Sequence, residues 1–168
     1  MLGIPLHPLV VHFPIVLCAL LPIVVLVVLW TIKGGASPRR AWTVPLILVG
    51  ALTVSAFIAT RTGENEEDRV EKVVARGAIH EHEEAAERLL LLSGALFVVA
   101  LGGLLSGTAG VVARTVTAVG AVGLLAAGVQ VGHSGGSLVY REGAASAYTT
   151  PSSAATPLGA AGATGTTQ

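Results

Sequence analysis

The feature that most limits what this chain can fold into is an apolar run over residues 9–30, interrupted only by His12. A helix needs about 20 apolar residues to cross the hydrocarbon core of a bilayer, and this run supplies them. Further apolar runs lie at about 42–60, 84–105 and 111–131. Charged residues make up only 12% of the 168 residues, whereas a soluble domain carries about 25%. Such a chain cannot cover a water-facing surface, so the bilayer must be part of its solvent. The reading is an all-α integral membrane four-helix bundle, with spans at about 8–30, 42–60, 84–105 and 111–131 in a membrane domain of residues 1–143. The first run reads as a retained helix rather than a signal peptide. It lacks a basic n-region, and Lys33-Gly34-Gly35 succeeds it in place of a small-residue cleavage site.

The connections carry the charge. Lys33, Arg39 and Arg40 lie between the first two spans with no acid, and Arg114 lies just beyond the Ser106-Gly107-Thr108-Ala109-Gly110 turn. Residues 61–84 are net acidic. Within them Val70, Val73 and Val74 share one face, which predicts a short amphipathic interfacial helix between spans two and three. Short basic loops stay in the cytoplasm. That rule places both chain ends and the 61–84 loop outside the cell membrane, with Trp30 and Trp42 at an inner aromatic belt. Small residues at Ala51, Ser55 and Ala59, and at Gly120, Gly123, Ala127 and Gly128, suit close helix packing. Residues 144–168 are mostly Ala, Ser, Thr, Gly and Pro without charge and read as a disordered tail.

This topology returns all five histidines to one side of the bilayer. His7 and His12 open span one, His80 and His82 precede span three, and His133 closes span four. At 3.6 residues per turn, His80 and His82 lie about 200° apart, so only one of them can face inward. His82 shares its face with Ala86, Leu89 and Ser93, and His80 shares its face with Glu84 and Glu87. The expected inward set is therefore His12, His82 and His133, with His7 nearby and His80 in water. His12 and His82 are the expected principal ligand pair. Neutral imidazole is a common metal ligand and the usual axial ligand of b-type haem. Haem b passing electrons to or from a redox partner is the leading expectation. A copper or zinc site on the same residues, or a cofactor-free subunit of a larger membrane complex, are the alternatives.

Other chemistries fit poorly. The single cysteine, Cys18, leaves no internal disulfide and no Cys-based zinc motif, and it reads as a small core hydrophobe. The Glu and His residues at 80–87 lack the paired Glu-x-x-His pattern of a di-iron bundle. Gly132-His133-Ser134-Gly135-Gly136 has neither the Lys nor the preceding strand of a phosphate loop. Lys plus Arg equal Asp plus Glu, at 10 each, so no charge excess points to nucleic acid. An electron carrier or subunit fits better than a stand-alone enzyme.

The opening Leu6-His7-Pro8-Leu9-Val10-Val11-His12-Phe13-Pro14-Ile15 resembles that of a bacterial four-span membrane-protein family catalogued as a domain of unknown function. Thr62-Gly63, His82-Glu83 and the closing Gly135-Gly136-Ser137-Leu138-Val139-Tyr140 are similar to further motifs of that family. The resemblance covers residues 6 to about 143 and implies four spans in the bacterial inner membrane. Relatives fused to Rieske or c-type cytochrome modules imply a redox setting. Many relatives carry a histidine shortly after the tyrosine, where this chain has Glu142.

Overall fold

The computed structural model describes residues 6–148. The expected disorder of residues 149–168 lies outside them. In chain order the helices are α1 (Leu6–Val10), α2 (His12–Lys33), α3 (Pro38–Ala41), α4 (Thr43–Glu64), α5 (Glu67–Val70), α6 (Arg76–Gly102) and α7 (Gly107–Tyr140), and a 3-10 helix (Ala144–Tyr148) comes last. No strand occurs among the described residues. Four stretches are long and apolar enough to cross a membrane: Leu6–Lys33, Pro38–Glu64, Arg76–Gly102 and Gly107–Tyr140. Helix α2 packs on α4 and α7, and α6 packs on the same two helices. The result is an antiparallel four-helix ring.

Each of the four long helices, α2, α4, α6 and α7, buries one narrow stripe and leaves large apolar side chains exposed elsewhere. Cys18, Leu21, Val25, Val49, Leu52, Leu89, Leu96, Ala121 and Leu124 form the core. Ile23, Leu26, Ile47, Val54, Leu91, Val98 and Val119 face outward. An exposed apolar girdle around a packed core is what a lipid solvent permits and water does not. Ser93 and Thr117 are buried, but each hydroxyl donates to a carbonyl of its own helix, Leu90 O at 2.9 Å and Ala113 O at 2.8 Å.

The break between α1 and α2 is explained by Pro14. Proline has no N–H to give the Val10 carbonyl, and its ring crowds that turn, so regular helix stops at Val10 and restarts at His12. After α2, Gly35 adopts φ +100° and the Ala36 N–H reaches back to Thr31 O at 3.1 Å, a left-handed helix stop. Span four is longer than expected. The glycine-rich 132–136 segment does not end it, because α7 stays helical to Tyr140. Five residues assigned to the tail, 144–148, are ordered instead. Ala144 packs with Val74, Ile79 and Leu138, and the Tyr148 hydroxyl donates to Glu66 Oε2. The interfacial segment is the single turn α5 together with residues 71–74. Val70 and Val74 pack on this cluster, and Val73 is exposed.

The end of the bundle away from the histidines is closed by close approaches. Trp42 is fully buried, and its indole N–H donates to Ala100 O at 2.9 Å. It is therefore a core residue and not part of an aromatic belt, while Trp30 is 75% exposed. The indole fits because Gly103 has no side chain: a Cβ there would lie 2.0 Å from Nε1. Arg114, only 6% exposed, donates from Nη1 to Gly103 O at 2.6 Å. This satisfies the C-terminal end of α6, where carbonyls otherwise lack donors.

Candidate functional site

All five histidines lie at one end of the bundle, as the topology requires. Two of them meet. His7 on α1 and His82 on α6 have ring centroids 6.3 Å apart with their planes at 81°. Both are half-buried. His80 faces outward and pairs with Glu84 at 3.3 Å and Glu83 at 4.0 Å. The two α6 histidines thus sort as their angular spacing predicts.

His12 and His133 do not join the pair. Both are exposed, contrary to the inward set expected from the sequence. For His12 the cause is the choice of face on α2: the buried stripe is Pro14, Cys18, Leu21, Val25 and Val28, whereas Ile15, Val16 and Ala19, which share the face of His12, are exposed. For His133 the cause is the choice of face on α7. The buried stripe there is Ala121, Leu124, Gly128 and Leu138, whereas Gly123 and Ala126 are exposed. Similarly, α4 packs through Val49, Leu52, Ala56 and Ala59, and Ala51 faces out.

The hydrogen bonds assign the tautomer of both paired rings. His7 Nδ1 lies 2.9 Å from Ala59 O and 3.3 Å from Thr62 Oγ1. A carbonyl can only accept, so Nδ1 carries the hydrogen and, in the neutral ring, Nε2 keeps its lone pair. The Thr62 hydroxyl is itself bonded to Ala59 O at 2.9 Å, which leaves its oxygen to accept. His82 Nδ1 lies 2.9 Å from Ser134 Oγ, and Ser134 Oγ lies 3.1 Å from Val131 O. One arrangement satisfies both contacts: Ser134 donates to the carbonyl and accepts from the imidazole N–H. His82 therefore also presents a bare Nε2. An Nδ1–H tied to an oxygen, with Nε2 left as donor atom, is the usual preparation of a metal-ligating histidine.

Two glycines make room for these rings. A Cβ at Gly63 would lie 3.1 Å from His7 Cε1, and one at Gly135 would lie 2.9 Å from His82 Cε1. Glu66 adds a tie from the next segment, since its Oε1 accepts the His7 backbone N–H at 3.3 Å. Ser134, Thr62, Gly63, Gly135 and Glu66 all escaped the sequence reading as members of a site. The doubled glycine at 135–136 was the available signal for Gly135. Nothing local marked Ser134.

Among the described residues, no group of three or more His, Cys, Asp and Glu side chains is placed to hold a metal ion. The protein ligands on offer are two imidazoles. Two clefts of about 280 Å³ lie elsewhere. One is apolar, between Leu92, Leu96, Gly120 and Leu124; the other runs along the end of α7 at His133.

Length, apolar girdle and ring packing define a four-span helical membrane protein with a polar network at one end. The chain belongs to the family described as "Predicted membrane protein (DUF2231)", whose model matches residues 3–147. No curated protein and no solved structure matches it.

Proposed function

We propose that this protein holds a transition-metal centre between His7 and His82 and passes electrons through it to a partner at the membrane. The observation that carries the reading is the pair of Nδ1–H groups tied to oxygen acceptors, which leaves both Nε2 atoms as the free functions of two adjacent rings. The pairing departs from the sequence expectation by replacing His12 with His7.

Ligand number favours haem b. Zinc sites take three or four protein ligands, whereas haem iron needs only two axial residues. Metal–imidazole bonds of about 2 Å set two rings on one ion about 6 Å apart or less, close to the observed separation. The donor set fits haem, and neither of the two clefts described above reaches the pair. When bound in this way, haem iron exchanges one electron. The chain's own residues orient the rings through Ala59, Thr62 and Ser134. A single copper ion is the second reading, favoured because it needs no slot.

The pair is assigned to the extracytoplasmic side. Lys33, Arg39, Arg40 and Arg114 all lie toward the opposite end, where basic residues are retained in the cytoplasm. The test is a variant series scored by bound metal. His7→Ala and His82→Ala each lose the centre, and His12→Ala, His80→Ala and His133→Ala keep it. Loss in His12→Ala with retention in His7→Ala would refute the assignment.

A further inference from the structure

We propose that the cleft along the last turns of α7 binds the phosphate of an anionic phospholipid headgroup, independently of the metal centre. His133, Ser137, Tyr140 and Arg141 lie at intervals of four, three and one residues and so share one stripe of the helix. With Gly132 and Gly136 they line the 280 Å³ cleft. A Cβ at either glycine would meet nothing within 4 Å, unlike Gly128, which abuts Cys18, and Gly135, which abuts His82. Neither Gly132 nor Gly136 is therefore needed for packing within the bundle. Among the described residues, none of the four polar side chains makes a hydrogen bond or ion pair.

The charge and depth of the cleft select the occupant. Its lining contains the Arg141 cation and no acid; Glu142 is next in sequence but is not part of the lining. A guanidinium binds phosphate oxygens in pairs, and the Ser137 and Tyr140 hydroxyls can donate to the same group. Helix α7 has 34 residues. At 1.5 Å per residue it is about 51 Å long, well beyond the roughly 30 Å hydrocarbon core. Its final turns therefore stand at headgroup level, where tyrosine is favoured. Val129, one turn before the cleft toward the bilayer, is 64% exposed and suits the acyl chains.

The test is native mass spectrometry of the full chain released from nanodiscs of equal phosphatidylglycerol and phosphatidylcholine. The wild type retains phosphatidylglycerol in preference. Arg141→Gln retains it about tenfold less, the loss expected for a charge-assisted hydrogen bond. Gly136→Leu, whose Cβ meets nothing within 4 Å and whose side chain lies in the cleft, does the same, and Arg88→Gln, an exposed residue paired with Glu84, retains it fully. Equal retention by Arg141→Gln and the wild type overturns the proposal. So does equal retention of phosphatidylcholine, displacement of the lipid by inorganic phosphate at matching concentration, or a dimer without lipid that Gly136→Leu abolishes. The last result would assign the groove to a second copy of the chain.

Discussion

Replacing Ser134 with Ala isolates the contact that sets the His82 tautomer. The hydroxyl lies 2.9 Å from His82 Nδ1 and 3.1 Å from Val131 O, so its removal deletes one acceptor and leaves the imidazole N–H without a partner. A buried donor left unmade costs about 1–3 kcal/mol. His82 is only half-buried and water can reach part of it, so about 1 kcal/mol is expected. For a chain of this size that lowers Tm by about 2–4 °C. The sharper readout is the ring itself. Nitrogen-15 NMR of the wild type should report a neutral His82 protonated at Nδ1, and Ser134→Ala should shift the population toward the Nε2–H form. Metal affinity should fall about 10- to 100-fold, as for other residues that orient a ligating imidazole. An unchanged tautomer together with an unchanged Tm would refute the hydrogen-bond assignment on which the site rests.

Gly103→Ala places a Cβ 2.0 Å from the Trp42 indole nitrogen; overpacking of this kind costs about 1–3 kcal/mol, and a lower Tm with shifted tryptophan fluorescence should report it. The Tyr148 phenol is pushed up to about 12 by burial and by the adjacent Glu66 carboxylate. Its neutral form is thus favoured by folding, and its contribution is complete below about pH 10 and lost between about 10 and 12. Ultraviolet titration in a Tyr140→Phe background should show this late ionisation, and a single ordinary tyrosine transition would contradict it. Reporter fusions after Gly35 and Gly107 should read cytoplasmic and a fusion after Glu67 external; an external signal at Gly35 would reverse the orientation.

The span pattern was legible because it depends only on run length and charge placement. The histidine end was legible for the same reason, since an even number of spans must bring residues 7, 82 and 133 to one side. His82 and His80 were sorted correctly by angle because α6 runs without a break from Arg76. His12 was not, because the face it shares with Ile15, Val16 and Ala19 is as apolar as the packed face yet points outward, while the stripe of Pro14, Cys18 and Leu21 is the buried one. The face of α7 was misread for a deeper reason. In lipid, Gly123 and Ala126 can face outward as readily as Val119, so small size and hydrophobicity do not mark the packed side. Trp42 shows the same limit: its burial depends on Gly103, which is distant in sequence and visible only once the helices are paired.

The central claim is that His7 and His82 together hold a metal. The most direct measurement is the absorption spectrum of the full chain purified after expression with haem supplied, with metal content determined on the same sample. The expected result is a Soret band, an alpha band on reduction and one iron per chain, all lost in His82→Ala. A colourless protein without bound iron or copper, despite a folded four-helix bundle, would contradict the claim and leave the two rings as a polar tie between α1, α4, α6 and α7.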